Sequence, residues 1–511
     1  MHDRLKHIAK QALGACFSMV FCAIPAMSGA ATIQEVEDLR SALRGFAATV
    51  GDTQDTRVQA DALIGASGLT GIVDLQTIAR PTGQIAAAAP QRGGMVDARP
   101  MDVRFALGLI AQIYGAKDNL DIIEAQANPS GEALVINRGT VTLAEIFRQL
   151  DRTGLQSAAD SADGVLRVPV IIWAEGAIEL GPQDRVIMSR EHGAFLANFG
   201  RMTANGTEFT TVGGMNPKNT DFIPFVVNAG GASVELRNSV VDGLGFGSEG
   251  KFGGFSLVRN PLMVKRDRNV LENNTFRNLV SVTTSMADGV VIRNNRISDS
   301  RGPSLVVTHS IETRLLGNLI SGNAPTNGIR LLQGSARGII AGNIILEGDR
   351  AGIVVQNDSN NVIIRNNIVW ARGGGGITIS KSRCGLVEAN LVMDNRQKGI
   401  EVRSTPGVTV RSNRIYGNRS AALWVSDQEK EVITHIEGND VNANGSGIAT
   451  AQGEVLALMG NDFTKQFPRF VDGDISPQGR LIASNLDGSV PVVLTAGGVY
   501  TGAAQTAGCE Y

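Results

Sequence analysis

In the second half of the chain, short runs of β-branched and aliphatic residues alternate with polar corners, and the pattern repeats. One unit reads Ile353-Val354-Val355, then Val362-Ile363-Ile364, then Ile368-Val369-Trp370. Runs this short, with no window of 3.6-residue periodicity, predict β-strands. Asn295, Asn318, Asn343, Asn367, Asn390, Asn413 and Asn439 close the pattern at spacings of 23 to 26 residues. A second column, Gly328-Ile329, Gly352-Ile353, Gly376-Ile377 and Gly399-Ile400, is spaced by 23 or 24. Self-similarity at this period predicts a solenoid. Three strands per unit, stacked at the ~4.8 Å spacing of neighbouring strands, make a parallel β-helix. The Asn column is expected to sit at left-handed corners and to pair each amide with the Asn above and below. The Gly column is expected to turn the chain at another corner.

Weaker strand-then-Asn texture runs back through 226–240 and 269–278, with Asn238 and Asn274, and 171–199 begins the solenoid. The β-helix is therefore expected over 166–450, with 451–511 as a cap or tail over its open end. Residues 31–165 differ. Val36, Leu39, Leu43 and Phe46 share one helical face, and Thr142 with Glu145 makes a capping box before Ile146, Phe147 and Leu150. The stretch near 81–100, with an Ala run and Gly93-Gly94, is expected to be a mobile linker. The fold class is thus all-β, a parallel solenoid with a small helical N-terminal region.

Residues 1–30 read as a secretory signal peptide. Arg4, Lys6 and Lys10 precede the apolar stretch 12–27, and Ser28 and Ala30 are small residues at positions −3 and −1 of a cleavage site. The remainder has no apolar run of 18 residues, so no membrane span is expected in the mature chain. Of the four cysteines, Cys16 and Cys22 leave with the signal; Cys384 and Cys509 remain, either bridged or as two free thiols.

The 511 residues include 61 Gly but only 17 Phe, 4 Tyr and 3 Trp. Apolar content of 43% excludes wholesale disorder, and the glycines follow no three-residue period, which excludes collagen. A formal charge of −2 excludes a dedicated nucleic-acid binder. No His/Cys cluster has metal-ligand spacing, so neither metal nor cofactor is expected.

Within each unit the strand after Gly alternates sides, with positions one and three inward. Positions two and four then read Leu305/Val307, Arg330/Leu332, Val354/Gln356, Thr378/Ser380, Glu401/Arg403 and Trp424/Ser426. At the next corner stand Gln333, Asn357 and Lys381, with His309 one residue later in its own coil. Arg330, Lys381, Arg403 and nearby Arg383, interleaved with amides and Trp424, suit an extended anionic sugar chain. Cations pair with carboxylates, amides bond hydroxyls and Trp stacks on a pyranose face.

A family likeness is carried by Met188-Ser189-Arg190-Glu191-His192-Gly193-Ala194-Phe195-Leu196, Val227-Asn228-Ala229-Gly230-Gly231 and Leu244-Gly245-Phe246-Gly247-Ser248-Glu249. Gly352-Ile353-Val354-Val355, Gly376-Ile377-Thr378, Gly399-Ile400-Glu401-Val402-Arg403 and Asn442-Ala443-Asn444-Gly445-Ser446-Gly447 follow in order. Across roughly 170–450 the chain resembles the bacterial mannuronan C5-epimerases of alginate synthesis. The resemblance implies a periplasmic right-handed β-helix that inverts C5 of mannuronate units in a polymer and is tied to polymer export.

That chemistry takes a proton from C5, beside the C6 carboxylate, and returns one on the opposite face. The family places an Asp-Pro-His motif outward on one coil. Counting back from Asn318, its Asp and His fall at Leu305 and Val307, so the motif is absent; a functional Arg of the next coil falls at Gln333. His309 with Arg330 is then the candidate base and carboxylate neutraliser. Gln333, Asn357, Lys381, Arg403 (which matches a family Arg) and Trp424 are candidate substrate contacts; His192 and His435 are assigned structural roles. Two other functions share this groove. One is a non-catalytic polysaccharide-binding or export scaffold. The other is a lyase, whose reaction begins with the same proton abstraction.

Overall fold

The computed structural model describes residues 31–53, 55, 57–66, 69, 94–128, 130–247, 250–264, 269–322, 324–430, 432–496 and 508–509. The expected signal segment 1–30 and the linker section 81–93 lie outside these residues. The rest of that linker differs from expectation, because Asp97–Asp102 forms a strand that pairs antiparallel with Glu132–Val141. Before the solenoid come helices α1 (Ile33–Asp52), α2 (Ala60–Ala66), α3 (Val103–Tyr114), α4 (Asn119–Glu124) and α5 (Leu143–Thr153).

The solenoid is a parallel β-helix of about 13 turns. Each turn contributes one strand to each of three faces, as in Ile353–Gln356, Ile363–Arg365 and Ile368–Trp370. We call these faces the first, second and third sheets. Strands stack in register, Ile329 on Ile353 on Ile377 on Ile400, so inward β-branched side chains form continuous columns. Ile329, Leu331, Ile353, Val355 and Ile377 are fully buried, each contributing about 1.5–3 kcal/mol relative to exposure. Parallel pairing continues to Val471–Gly473. At the first end, Leu143, Ile146 and Leu150 of α5 plug the core. At the other, Val492–Thr495 pairs antiparallel with Val455–Met459. Both arrangements cover edges that would otherwise template further strand pairing.

The Asn column forms a hydrogen-bonded ladder. Each Nδ2 donates to the next Oδ1 at 2.8–3.0 Å, from Asn274 through Asn295, Asn318, Asn343, Asn367, Asn390, Asn413 and Asn439 to Asn461. The left-handed residue is its predecessor, however: Asn294 has φ 55° and Asn366 φ 54°. The Asn side chain bonds inward while the neighbour turns the corner. The Gly column corrects a second expectation. A Cβ on Gly376 would meet Val392 and, at 2.6 Å, the carbonyl of Gly399; one on Gly328 would lie 2.8 Å from the carbonyl of Gly352. These glycines permit close approach of adjacent coils; none of the four needs positive φ.

Helix α1 shows how the N-terminal region joins the solenoid. Thr32 caps it reciprocally with Glu35, and Val36, Leu39, Leu43, Phe46 and Val50 are buried. They cover an apolar stripe on the third sheet made by Leu319, Ile344, Ile368, Trp370, Leu391, Met393 and Tyr416. Twenty residues span ~30 Å, matching the six ~4.8 Å steps from Arg296 to Asp440. Arg296 Nη2 donates to the carbonyl of Thr53 at 2.6 Å, and Arg40 pairs with Asp394 at 2.7 Å. Cys384 and Cys509 are bridged, resolving the alternative left open by sequence. Among the described residues no helix is long and apolar enough to cross a membrane.

Candidate functional site

The outer face of the first sheet is not open along its whole length. Over the early coils it is covered by α3 and α4, whose Val103, Ala106, Leu107, Ile110 and Ile122 pack with Ile171, Ala197 and Val227. The cover ends at Tyr114, whose Oη lies 2.8 Å from the carbonyl of Arg259 and 3.1 Å from that of Ser285. Beyond it the outward side chains from the Val306 strand to the Ala449 strand, six steps or about 29 Å, are half-buried, apart from exposed Arg403 and Ala451 and buried Val354, Ser426 and Ala449.

Register fixes what lines this groove. The middle column runs Thr283, Val306, Arg330, Val354, Thr378, Glu401, Trp424 and Ala449. The column beside it runs Ser285, Thr308, Leu332, Gln356, Ser380, Arg403, Ser426 and Ala451. Leu305 and Val307, expected to face outward, are fully buried in the core; Val306 and Thr308 take their place. The cause is a corner of variable length. His309 is followed directly by buried Ser310, whereas Gln333 is followed by Gly334 and then Ser335, and Ser310 N donates to Ser335 Oγ at 3.4 Å. A fixed count back from the Asn column therefore slips by one residue, and one residue reverses every side chain.

The same correction moves His309. It does not lie one residue beyond the corner: it stacks in line with Gln333, Asn357 and Lys381, and all four have left-handed φ of 50°, 54°, 57° and 48°. Their backbones bond coil to coil, His309 N to the carbonyl of Gln333 at 3.1 Å and Lys381 N to that of Arg403 at 2.9 Å. His309, Gln333 and Lys381 are exposed, and Asn357 is half-buried. Together they form one rim of the groove.

Arg330 stands apart from the other cations. Its Nε is buried and has no hydrogen-bond partner among the described residues. Desolvation pulls its guanidinium below the usual arginine range. Val306 and Val354, which adjoin it in the column, offer no carboxylate. Three of the upper cations are already engaged. Arg403 pairs with Asp427 at 2.8 Å, Arg383 with Glu429 at 2.8 Å and Lys398 with Glu401 at 2.6 Å. Lys398 Nζ also lies 4.5 Å from the centroid of Trp424 and competes for the ring face expected to stack on sugar. Lys398 was missed by sequence reasoning, although its place immediately before Gly399 marks it as a rim position.

The structure thus gathers His309, Gln333, Asn357 and Lys381 on a rim, with Arg330 and Trp424 on the floor. Arg403 stands beside them, neutralised. Hydroxyls extend the floor toward Tyr114: Thr308 Oγ1 donates to Ser285 Oγ at 2.9 Å. Such a surface can bind hydroxyls along its length and place one carboxylate on Arg330.

The family described as "Right handed beta helix region" matches residues 186–385 and 327–472, more than half of the chain. A mannuronan C5-epimerase of Pseudomonas putida is 23% identical over 351 residues, covering 62% of this chain and 66% of that protein. The chain thus spans just under two thirds of that relative. The mannuronan C5-epimerase AlgG of Azotobacter vinelandii is 23% identical over 379 residues, 70% of this chain and 68% of that one. A crystal structure of the periplasmic alginate epimerase AlgG superposes with a TM-score of 0.53 at 18% identity, covering 72% and 82% of the two chains. That likeness is one of fold. The chain belongs to the right-handed β-helix family and is a relative of the mannuronan C5-epimerases.

Proposed function

We propose that the exposed face of the first sheet holds an acidic, uronate-containing polysaccharide in the periplasm and that the protein epimerises it at C5. The observation that carries this reading is Arg330, a guanidinium on the outer face of the first sheet whose buried Nε has no hydrogen-bond partner among the described residues. A partly desolvated cation without a partner is costly, and a uronate carboxylate bound at its terminal nitrogens would offset that cost. Kinship with mannuronan C5-epimerases supports the choice of sugar.

In the proposed reaction His309 takes the C5 proton on an imidazole nitrogen. The electron pair left on C5 spreads into the C6 carboxylate, where Arg330 stabilises the developing charge. A proton from solvent in the open groove returns to C5 from the other face. Gln333, Asn357 and Lys381 hold neighbouring sugar units from the rim. Arg403 takes part only on leaving Asp427, and Trp424 stacks only on displacing Lys398.

One observation favours a second reading, a non-catalytic scaffold in polymer export. Val306 and Val354 are hydrocarbon, and neither can move a proton. Incubation with polymannuronate in D₂O, with H5 followed by NMR and ultraviolet absorbance for unsaturated ends, separates the readings. Deuterium at C5 with inversion is expected. Binding without exchange establishes the scaffold, and absorbance establishes a lyase.

A further inference from the structure

Ala31 is the first residue of the expected processed chain, and the third sheet holds its backbone on both sides. Its nitrogen donates to Asp440 Oδ2 at 3.0 Å, and its carbonyl accepts from Asn442 Nδ2 at 3.1 Å. Tyr416 Oη donates to the same Asp440 oxygen at 2.6 Å. The other oxygen, Asp440 Oδ1, is buried and has no hydrogen-bond partner among the described residues. Burial pushes the Asp440 carboxyl above the usual range, against the hydrogen bonds from Tyr416 and the Ala31 nitrogen, while Asp462 pushes it further up and Arg414 pulls it down. A buried carboxylate with one oxygen unmet is a site for a cation with several protons. A peptide nitrogen at Ala31 brings one proton and no charge.

We propose that Asp440, with Tyr416 and Asn442, captures the new amino terminus created when a signal peptidase cuts between Ala30 and Ala31. Hydrolysis breaks the bond from the Ala30 carbonyl carbon to the Ala31 nitrogen. The hydroxyl of water goes to the Ala30 carboxyl, and the nitrogen takes up protons to become an α-ammonium. That ammonium carries three donors and a full charge, enough to meet both Asp440 oxygens. The site therefore distinguishes the processed chain from its precursor. Because Ala31 leads through the Thr32 cap directly into α1, capture fastens the helix over the apolar stripe of Trp370, Met393 and Tyr416 once the leader is gone. Export and the covering of that stripe become one event.

Intact mass and N-terminal sequencing of the exported protein are expected to give Ala31 as the first residue. Two chains then test the capture, one starting at Ala31 and one retaining Gly29-Ala30, each with Asp440 or with Asp440→Asn. Native-state tryptic cleavage within α1 is expected to be about tenfold slower for the Ala31 chain, as befits a charge-assisted bond. The difference is expected to vanish in Asp440→Asn. Should that variant not fold, acetylation of Ala31 removes the same charge and is expected to match the extended chain. A different first residue, equal cleavage of the two chains, a difference that survives Asp440→Asn, or an acetylated chain as resistant as the free amine overturns the proposal.

Discussion

Arg330 stacks directly on Val306 in the first sheet, and the Nε of that arginine is buried with no hydrogen-bond partner among the described residues. A guanidinium so placed costs folding free energy, and the proposed function gives it a role in binding. Arg330→Met, which keeps the apolar stem, is expected to leave thermal stability unchanged or raise it by about 1 kcal/mol. Thermal unfolding of the two proteins checks this. A loss of several kcal/mol would mean that the side chain has a structural partner.

His309 carries two separable burdens, a left-handed backbone and an imidazole. Its φ of 50° is one that glycine adopts at less cost. His309→Gly is therefore expected to keep or slightly raise the melting temperature while abolishing deuterium exchange at C5. Full exchange in this folded variant would show that the base lies elsewhere.

The Asn ladder makes a sharper stability claim. Asn367 Nδ2 donates to Asn390 Oδ1 and the carbonyl of Ile340, each at 2.9 Å, while its Oδ1 accepts from both the backbone and side chain of Asn343. Asn367→Ala strands these buried partners and is expected to cost about 3 kcal/mol or more in chemical denaturation. Asn366→Gly, one residue earlier at φ 54°, is expected to be neutral. Similar costs at the two positions would contradict the assignment of pairing to one and turning to the other.

Tyr114 gives the fold an alkaline sensitivity. Burial pushes its phenol up to about 12, against an ordinary value of 10. Between these values the unfolded chain has lost the proton and the folded chain has kept it. The contribution of Tyr114 to stability is therefore full below about pH 10 and falls by roughly 1.4 kcal/mol per pH unit as pH rises through that window, in addition to a like contribution from buried Tyr416. Tyr114→Phe is expected to flatten that fall in denaturation measured from pH 9 to 12. An unchanged slope would show that the hydroxyl is not the group responsible.

Much of this was legible in the sequence because the repeat states it many times over. The spacing of Asn295 through Asn439 gave the coil, and Val36, Leu39, Leu43 and Phe46 gave the buried face of α1. What failed depended on single insertions or on contacts across coils. One extra residue, Gly334, slipped the frame and put core residues Leu305 and Val307 on the surface. The Gly column shows crowding from the adjacent coil, which periodicity cannot tell from a need for positive φ. Pairing of Arg403 with Asp427 and of Arg383 with Glu429 required register, so half of the cationic face expected from sequence is neutralised. The end of the groove at Tyr114 and the Cys384–Cys509 bridge are tertiary facts with no local signature.

In the proposed function Arg330 anchors a uronate on the outer face of the first sheet. Calorimetric titration of a short oligomannuronate into the wild-type protein and Arg330→Met tests it most directly. Binding that weakens with added salt and loses at least about tenfold in affinity in the folded variant is the expected result. Equal affinity in the two proteins would contradict it.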